Sequence, residues 1–243
     1  GIDILMNVYR NYISSKNKRL IQDNTIVWRN LYNIMNILAE KEVEMILKNQ
    51  KIKGRINIKG YNDMDLIEKI NFLPVKNKDV EYYINVSNVH WEERYYKKLF
   101  DIDIDDNKLK KICLNYLQSL EWTFKYYTMG CYDWRWKYNY HYAPLIKDLV
   151  KYIPHFKTEF IKKSNNKHVS QYVQLSYIIP KSKINLLPPH ISKTVLDKFD
   201  DYYPDVYNFE WSFCKYFWES HVLLPEINIK YLEETINELN NEL

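Results

Sequence analysis

Glycine and alanine are the sharpest shortages of this sequence: four Gly and two Ala (Ala39 and Ala143) in 243 residues. The glycines stand singly, so no Gly-rich loop is present to cradle a phosphate. Cysteine is scarce and odd in number. Cys113, Cys131 and Cys214 are widely spaced with none at C-x-x-C spacing, which argues against a disulfide framework and a structural zinc site and for reduced thiols in a cytosol-like compartment. No apolar run approaches the roughly 20 residues that a bilayer span requires. No basic start leads into an apolar stretch with a small-residue cleavage site, so no secretory signal is expected. An H-E-x-x-H zinc helix and a G-x-S-x-G nucleophile elbow are also missing. Charge is nearly balanced, 35 basic against 31 acidic side chains for a net +4, which admits a nucleic-acid partner without arguing for one.

What remains is ordinary globular material: 46% apolar and 27% charged residues, enough for a core without staples, in one large domain or two small ones. The 23 tyrosines accompany many Asn, Lys and Ile. All four have A/T-rich codons, whereas Gly and Ala have G/C-rich ones, so an A/T-rich genome explains the skew and aromatic abundance alone carries no function.

Along the chain the dominant pattern is helical. Ile4, Leu5, Val8, Tyr9 and Tyr12 predict an amphipathic helix over 3–14, and Leu31, Ile34 and Leu38 a second over 27–49. A chain that opens this abruptly on Gly1 is expected to be a piece of a longer protein. Residues 50–88 are polar with little periodicity and are expected to form an insertion or mobile excursion. Helical spacing returns at Trp91, Tyr95 and Leu99. Asp105 or Asp106 is a candidate N-cap for a long helix carrying Leu109, Ile112, Tyr116, Leu120 and Phe124, with Gly130 placed to end it. Pro144 is expected to open the first turn of a further helix reaching about Tyr152. Residues 172–179, 190–199 and 229–241 repeat the helical pattern, with prolines between them. The fold class expected is mainly α.

Most chemical constellations resolve into bland ones. Asp101 to Asp106 begins like a calcium loop, but its sixth position is Asp106 where Gly is required and its twelfth is Ile112 where Glu is required. It reads as a solvated loop and helix cap. His90, His155, His168, His190 and His221 have no partner at an informative spacing, and the Lys-rich patches at 97–98 and 108–111 read as solvated helix faces. One stretch stands out. From Tyr132 to Tyr142 every second residue is aromatic (Tyr132, Trp134, Trp136, Tyr138, Tyr140, Tyr142), with Arg135, Lys137 and His141 between them. An extended backbone would send the rings to one face and the cations to the other. Rings beside positive charge suit single-stranded nucleic acid. An aromatic plug tying two helices together is the other reading.

Asp133-Trp-Arg-Trp-Lys-Tyr-Asn-Tyr-His-Tyr-Ala-Pro144 resembles the S-W-S-W-Y-Y-P-Y-H-Y-A-P stretch of the XRN family of 5′→3′ exoribonucleases. Trp91-Glu-Glu-Arg-Tyr-Tyr96 is similar to the family's W-K-E-R-Y-Y, and Tyr116-Leu-Gln-Ser-Leu-Glu-Trp122 with Tyr126, Tyr127 and Gly130 to its Y-x-x-G-L-x-W … Y-Y-x-x-G. Gln174-Leu175, Leu187-Pro188, Tyr203-Pro204, Trp218 and Leu223-Leu-Pro225 follow in the family's order. The departures are these: Asp133 and Arg135 replace two Ser, Lys137 a Tyr, Asn139 a Pro and Ser119 a Gly, and Pro225-Glu-Ile-Asn228 stands where the family closes on P-F-I-D.

The resemblance implies that residues 1–243 are the helical second region of such an enzyme, an irregular multi-helix domain packing against an upstream α/β nuclease domain not present in this chain. The catalytic carboxylates, the Mg²⁺ they bind and the pocket for the 5′ monophosphate would lie in that upstream domain, so no catalytic or metal residue is assigned here. Single-stranded RNA with a 5′ monophosphate is the implied substrate. Trp134 or Trp136, with Tyr138 or His141, would hold unstacked bases. That Arg135 or Lys137 would touch phosphates is read from these residues alone, since the family stretch carries no cation at either position. A helical module that binds RNA or protein without catalysis is the alternative. The expected compartment is the cytoplasm, with the nucleus, or a host cell's cytoplasm for a viral parent, as the other settings.

Overall fold

The computed structural model describes residues 1–241, which form two compact units. The first comprises Gly1–Asn166 with Ser212–Phe217. Its elements are α1 (Ile2–Tyr12), a hairpin of β1 (Ile21–Gln22) and β2 (Thr25–Ile26), α2 (Trp28–Gly54), three short helices α3 (Leu66–Asn71), α4 (Leu73–Lys76) and α5 (Asp79–Ile84), then α6 (Trp91–Phe100), α7 (Asp106–Met129) and α8 (Ile146–Val150). The second unit carries α9 (Gln171–Ile178), α10 (Pro189–Phe199), a ribbon of β3 (Asn208–Glu210) and β4 (His221–Leu223), and α11 (Ile229–Asn241). Both sheets are two-stranded and antiparallel, so the fold is mainly α as the periodicity predicts.

The local signals explain most boundaries. The Asp105 carboxylate accepts the Asn107 N–H at 2.8 Å and the Lys108 N–H at 3.0 Å, capping α7. The Lys108 backbone bond leads the effects that hold this carboxyl below its usual value. Gly130 ends α7 at φ +89°, a conformation that β-carbon sterics deny most residues. Asp23 and Asn24, at φ +49° and +53°, turn β1 into β2 as a two-residue hairpin requires.

One expectation is corrected. Pro144 does not open a helix: α8 begins at Ile146, because the Glu42 carboxylate of α2 accepts the Ile146 N–H at 2.7 Å and the Lys147 N–H at 3.2 Å and so fixes the first turn. Burial raises the Glu42 pKa despite those two bonds. Within residues 50–88, α2 extends to Gly54 and α3–α5 follow, and both ends are tied into the interior. Lys53 and Glu81, both buried, pair at 2.5 Å, and Ile84 and Val86 are core residues. The Glu81 carboxylate also accepts the Phe213 N–H at 3.0 Å, which anchors the 212–217 segment.

In the first unit, α6 packs Trp91, Tyr95, Tyr96 and Leu99 against Leu109 and Ile112 of α7 and against Tyr142 and Leu145. A second cluster joins Trp28, Cys113, Leu117, Leu149 and Ile153, and a third joins Val8 and Ile13 to Ile34 and Leu38. Each fully buried aliphatic or aromatic side chain contributes about 1.5–3 kcal/mol. The Cys113 thiol is pushed up to about 12 by burial, the mark of an inert structural cysteine. The second unit has its own core of Val173, Ile191, Val195, Phe199, Leu232 and Ile236, where the Tyr203 hydroxyl donates to the Ser176 carbonyl.

Tyr96 is fully buried, and its hydroxyl donates to Asp148 Oδ2 at 2.9 Å while accepting the Leu145 N–H at 3.1 Å. Tyr96→Phe strands both partners, so urea unfolding should show a loss of about 1–3 kcal/mol; an unchanged midpoint would mean that neither bond matters.

Candidate nucleic-acid interface

Residues 130–145 contain neither helix nor strand, so their backbone groups need partners from elsewhere. Side chains of the surrounding helices supply them. Trp122 Nε1 donates to the Asp133 carbonyl at 2.9 Å, and the Asn139 N–H donates to Asn115 Oδ1 at 2.9 Å. The Tyr95 hydroxyl donates to the Ala143 carbonyl at 2.8 Å, and the Tyr138 hydroxyl to the Tyr142 carbonyl at 2.7 Å. Asp133 Oδ1 accepts the Arg135 N–H at 2.8 Å, an Asx turn, and Asn166 Nδ2 at 3.1 Å.

With the backbone held this way, the alternation of the sequence becomes an alternation of exposure. Trp136, Tyr138 and Tyr140 are half-buried and Tyr142 is buried, while Lys137, Asn139 and His141 face solvent. Tyr138 packs edge-on against Tyr116 at 5.6 Å and Tyr140 at 5.5 Å, and burial raises its pKa. Trp134 breaks the pattern: 54% of it is exposed, beside an exposed Arg135.

Trp136 belongs to a column of near-parallel rings. It stacks on Trp122 at 5.7 Å and 23°, and Trp122 stacks on Tyr126 at 5.2 Å and 12°. Tyr126 meets Tyr127 edge-on at 5.5 Å, and Tyr127 is 81% exposed. Trp122 and Tyr126 stand one helical turn apart on α7, which aligns their rings on one face. The sequence reading left these three out of its site residues, although the i, i+4 spacing of Trp122 and Tyr126 was there to be read.

A buried ion network braces the same part of α7. Lys125 Nζ lies 2.6 Å from Glu159, 3.1 Å from Glu121 and 2.5 Å from the Ile161 carbonyl, and 4.4 Å from the centre of the Tyr132 ring. Glu121 Oε2 accepts the Phe160 and Ile161 N–H groups at 2.6 and 3.2 Å. Burial alone would depress the Lys125 pKa, but hydrogen bonds to Glu159 and Glu121 outweigh it and raise it. The Lys125 bond holds Glu159 below its usual value. The Lys125–Glu159 pair is therefore charged at neutral pH, and it weakens as pH falls through the lowered Glu159 value or rises through the raised Lys125 value.

No group of three His, Cys, Asp or Glu side chains among the described residues is arranged to hold a metal ion, so these residues offer no site for the Mg²⁺ that the resemblance implies. Among the same residues no helix is long and apolar enough to cross a membrane.

The family described as the Xrn1 helical domain matches residues 61–243. A 5′-3′ exoribonuclease 2 of Gallus gallus is 33% identical over 157 residues, covering 63% of this chain and 16% of that protein. A 5′-3′ exoribonuclease 1 of Saccharomyces cerevisiae is 27% identical over 199 residues, covering 80% of this chain and 12% of that protein. The chain belongs to the XRN family, with residues 61–243 matching the family's helical domain. It spans about one-sixth or less of the length of these relatives. The match leaves residues 1–60 outside it, whereas the resemblance read from the sequence runs from Gly1.

Lys125→Met would leave the buried Glu121 carboxylate without its cation, so unfolding stability at pH 7 should fall by about 3 kcal/mol. A loss under ~0.5 kcal/mol in urea titration would show that the network does not brace the loop.

Proposed function

We propose that this chain forms one wall of the RNA channel in a 5′→3′ exoribonuclease, which removes nucleotides from single-stranded RNA bearing a 5′ monophosphate. Family membership and the names of the relatives support the activity. The observation that carries the channel role is the exposed Trp134, set beside Arg135 on a loop whose backbone is held from α6 and α7. An unstacked base gains about 1–3 kcal/mol on such a ring, and a ring held in place loses little entropy on binding.

Exposure divides the candidate residues. Trp134 and His141 are exposed and take the bases, and the exposed Arg135 and Lys137 take phosphates. Trp136, stacked on Trp122, and Tyr138, whose hydroxyl donates to the Tyr142 carbonyl, are half-buried and stiffen the loop. The catalytic carboxylates, the pocket for the 5′ phosphate and the Mg²⁺ belong to a nuclease domain of the parent protein outside this chain.

The test is degradation of single-stranded 5′-monophosphate RNA by the full-length protein. Trp134→Ala should slow it by roughly 5- to 100-fold, the range that one stacked base accounts for, with the melting temperature unchanged. Trp136→Ala should slow it and lower the melting temperature together. Wild-type rates for both variants would sink the assignment. A wild-type protein that binds this RNA and never shortens it would favour the non-catalytic module.

A further inference from the structure

A second surface has the chemistry for RNA and lies on none of residues 130–145. The β1–β2 hairpin, the first turn of α2 and the loop 155–157 enclose a groove of about 360 Å³. That volume sits at the small end of ligand sites, suited to a single nucleotide unit. Phe156 lines it and is 74% exposed. The rest of its loop is fixed. His155 packs on Tyr32 with ring centres 4.4 Å apart, Trp28 Nε1 donates to the Thr158 carbonyl at 2.8 Å, and Trp28 meets Phe160 edge-on at 5.0 Å. Phe156 therefore stays in solvent on a braced loop whose neighbouring rings found partners.

Arg29 and Lys157 line the same groove, both exposed. Neither makes an ion pair or a side-chain hydrogen bond among the described residues. Glu159, the carboxylate nearest Lys157 in sequence, has Lys125 as its close partner at 2.6 Å and feels Lys157 as a weaker, non-contacting attraction. Asp23 is the one carboxylate lining the groove, against Arg29, Lys157 and His155. A flat exposed ring between cations is the arrangement that holds one unpaired nucleotide, with the base stacked and the phosphates paired.

We infer that this groove is a second contact for single-stranded RNA, in which Phe156 stacks a base and Arg29 and Lys157 bind the flanking phosphates. It rests on the reading that the parent protein handles RNA. It adds a site away from Trp134, built largely from residues outside the matched 61–243 span.

The experiment uses full-length protein in EDTA, so that RNA persists, and 5′-monophosphate oligouridine carrying one 4-thiouridine at successive positions. After irradiation, crosslinked peptides are identified. Crosslinks are expected within 131–142 for one set of positions and within 155–157 for another, with Phe156→Ala removing the second set at least 5-fold and leaving the first. In parallel, Arg29→Gln with Lys157→Gln should flatten the slope of log K against log salt by about 1.4, or roughly 0.7 per lost phosphate contact on a single strand. Crosslinks at 131–142 with none at 155–157, or an unchanged slope, would overturn this site while leaving the channel reading standing. Crosslinks at neither place would overturn both.

Discussion

The first unit depends on how one irregular stretch of backbone finds its hydrogen bonds. Residues 130–145 pass between α6 and α7 without secondary structure, and each buried peptide group left unpaired there would cost about 1–3 kcal/mol. Asn115, Trp122, Tyr95 and Tyr96 meet that demand from α7 and α6, and Glu42 of α2 accepts the next two N–H groups, those of Ile146 and Lys147. These bonds fix where α8 starts and hold Tyr142 and Leu145 in the core beside Trp91, Tyr95 and Leu99. They also decide which aromatic rings stay outside.

The packing and the proposed function are linked through that last effect. A loop anchored at Asp133, Asn139 and Ala143 holds Trp134 54% exposed, while its neighbour Trp136 stacks on Trp122. Stacked rings beneath an exposed one give the stiffness that base stacking rewards, because ordering costs are met in folding and not in binding. Of the two readings of the aromatic stretch, the plug is present in Tyr138, Tyr140 and Tyr142, and Trp134 is the exposed ring on which the proposed platform rests.

Where structure is set by neighbours in sequence, the chain could be read directly. The Asp105 cap, the Gly130 exit and the apolar faces of α1, α7, α10 and α11 all follow from local rules. The start of α8 could not be read, because Glu42 sits 104 residues from Ile146 and nothing near Pro144 announces it. The short helices of 50–88 were illegible for another reason. Four to six residues are too few for periodicity, although Asp65 and Glu68 do form a capping box that signals α3. The Asp23-Asn24 turn carried a hairpin signal that the surrounding polar stretch masked. For the candidate site, the alternation of rings and cations was visible, but the choice between Trp134 and Trp136 was not. It rests on Trp122, a residue in another element.

The proposed channel wall would serve an enzyme that consumes RNA from a 5′-monophosphate end. The most direct measurement incubates the full-length protein and Mg²⁺ with single-stranded RNA carrying a 5′ monophosphate, beside the same RNA carrying a 5′ triphosphate. Selective loss of the monophosphate RNA, proceeding from its 5′ end, is the predicted result; equal survival of the two would contradict it.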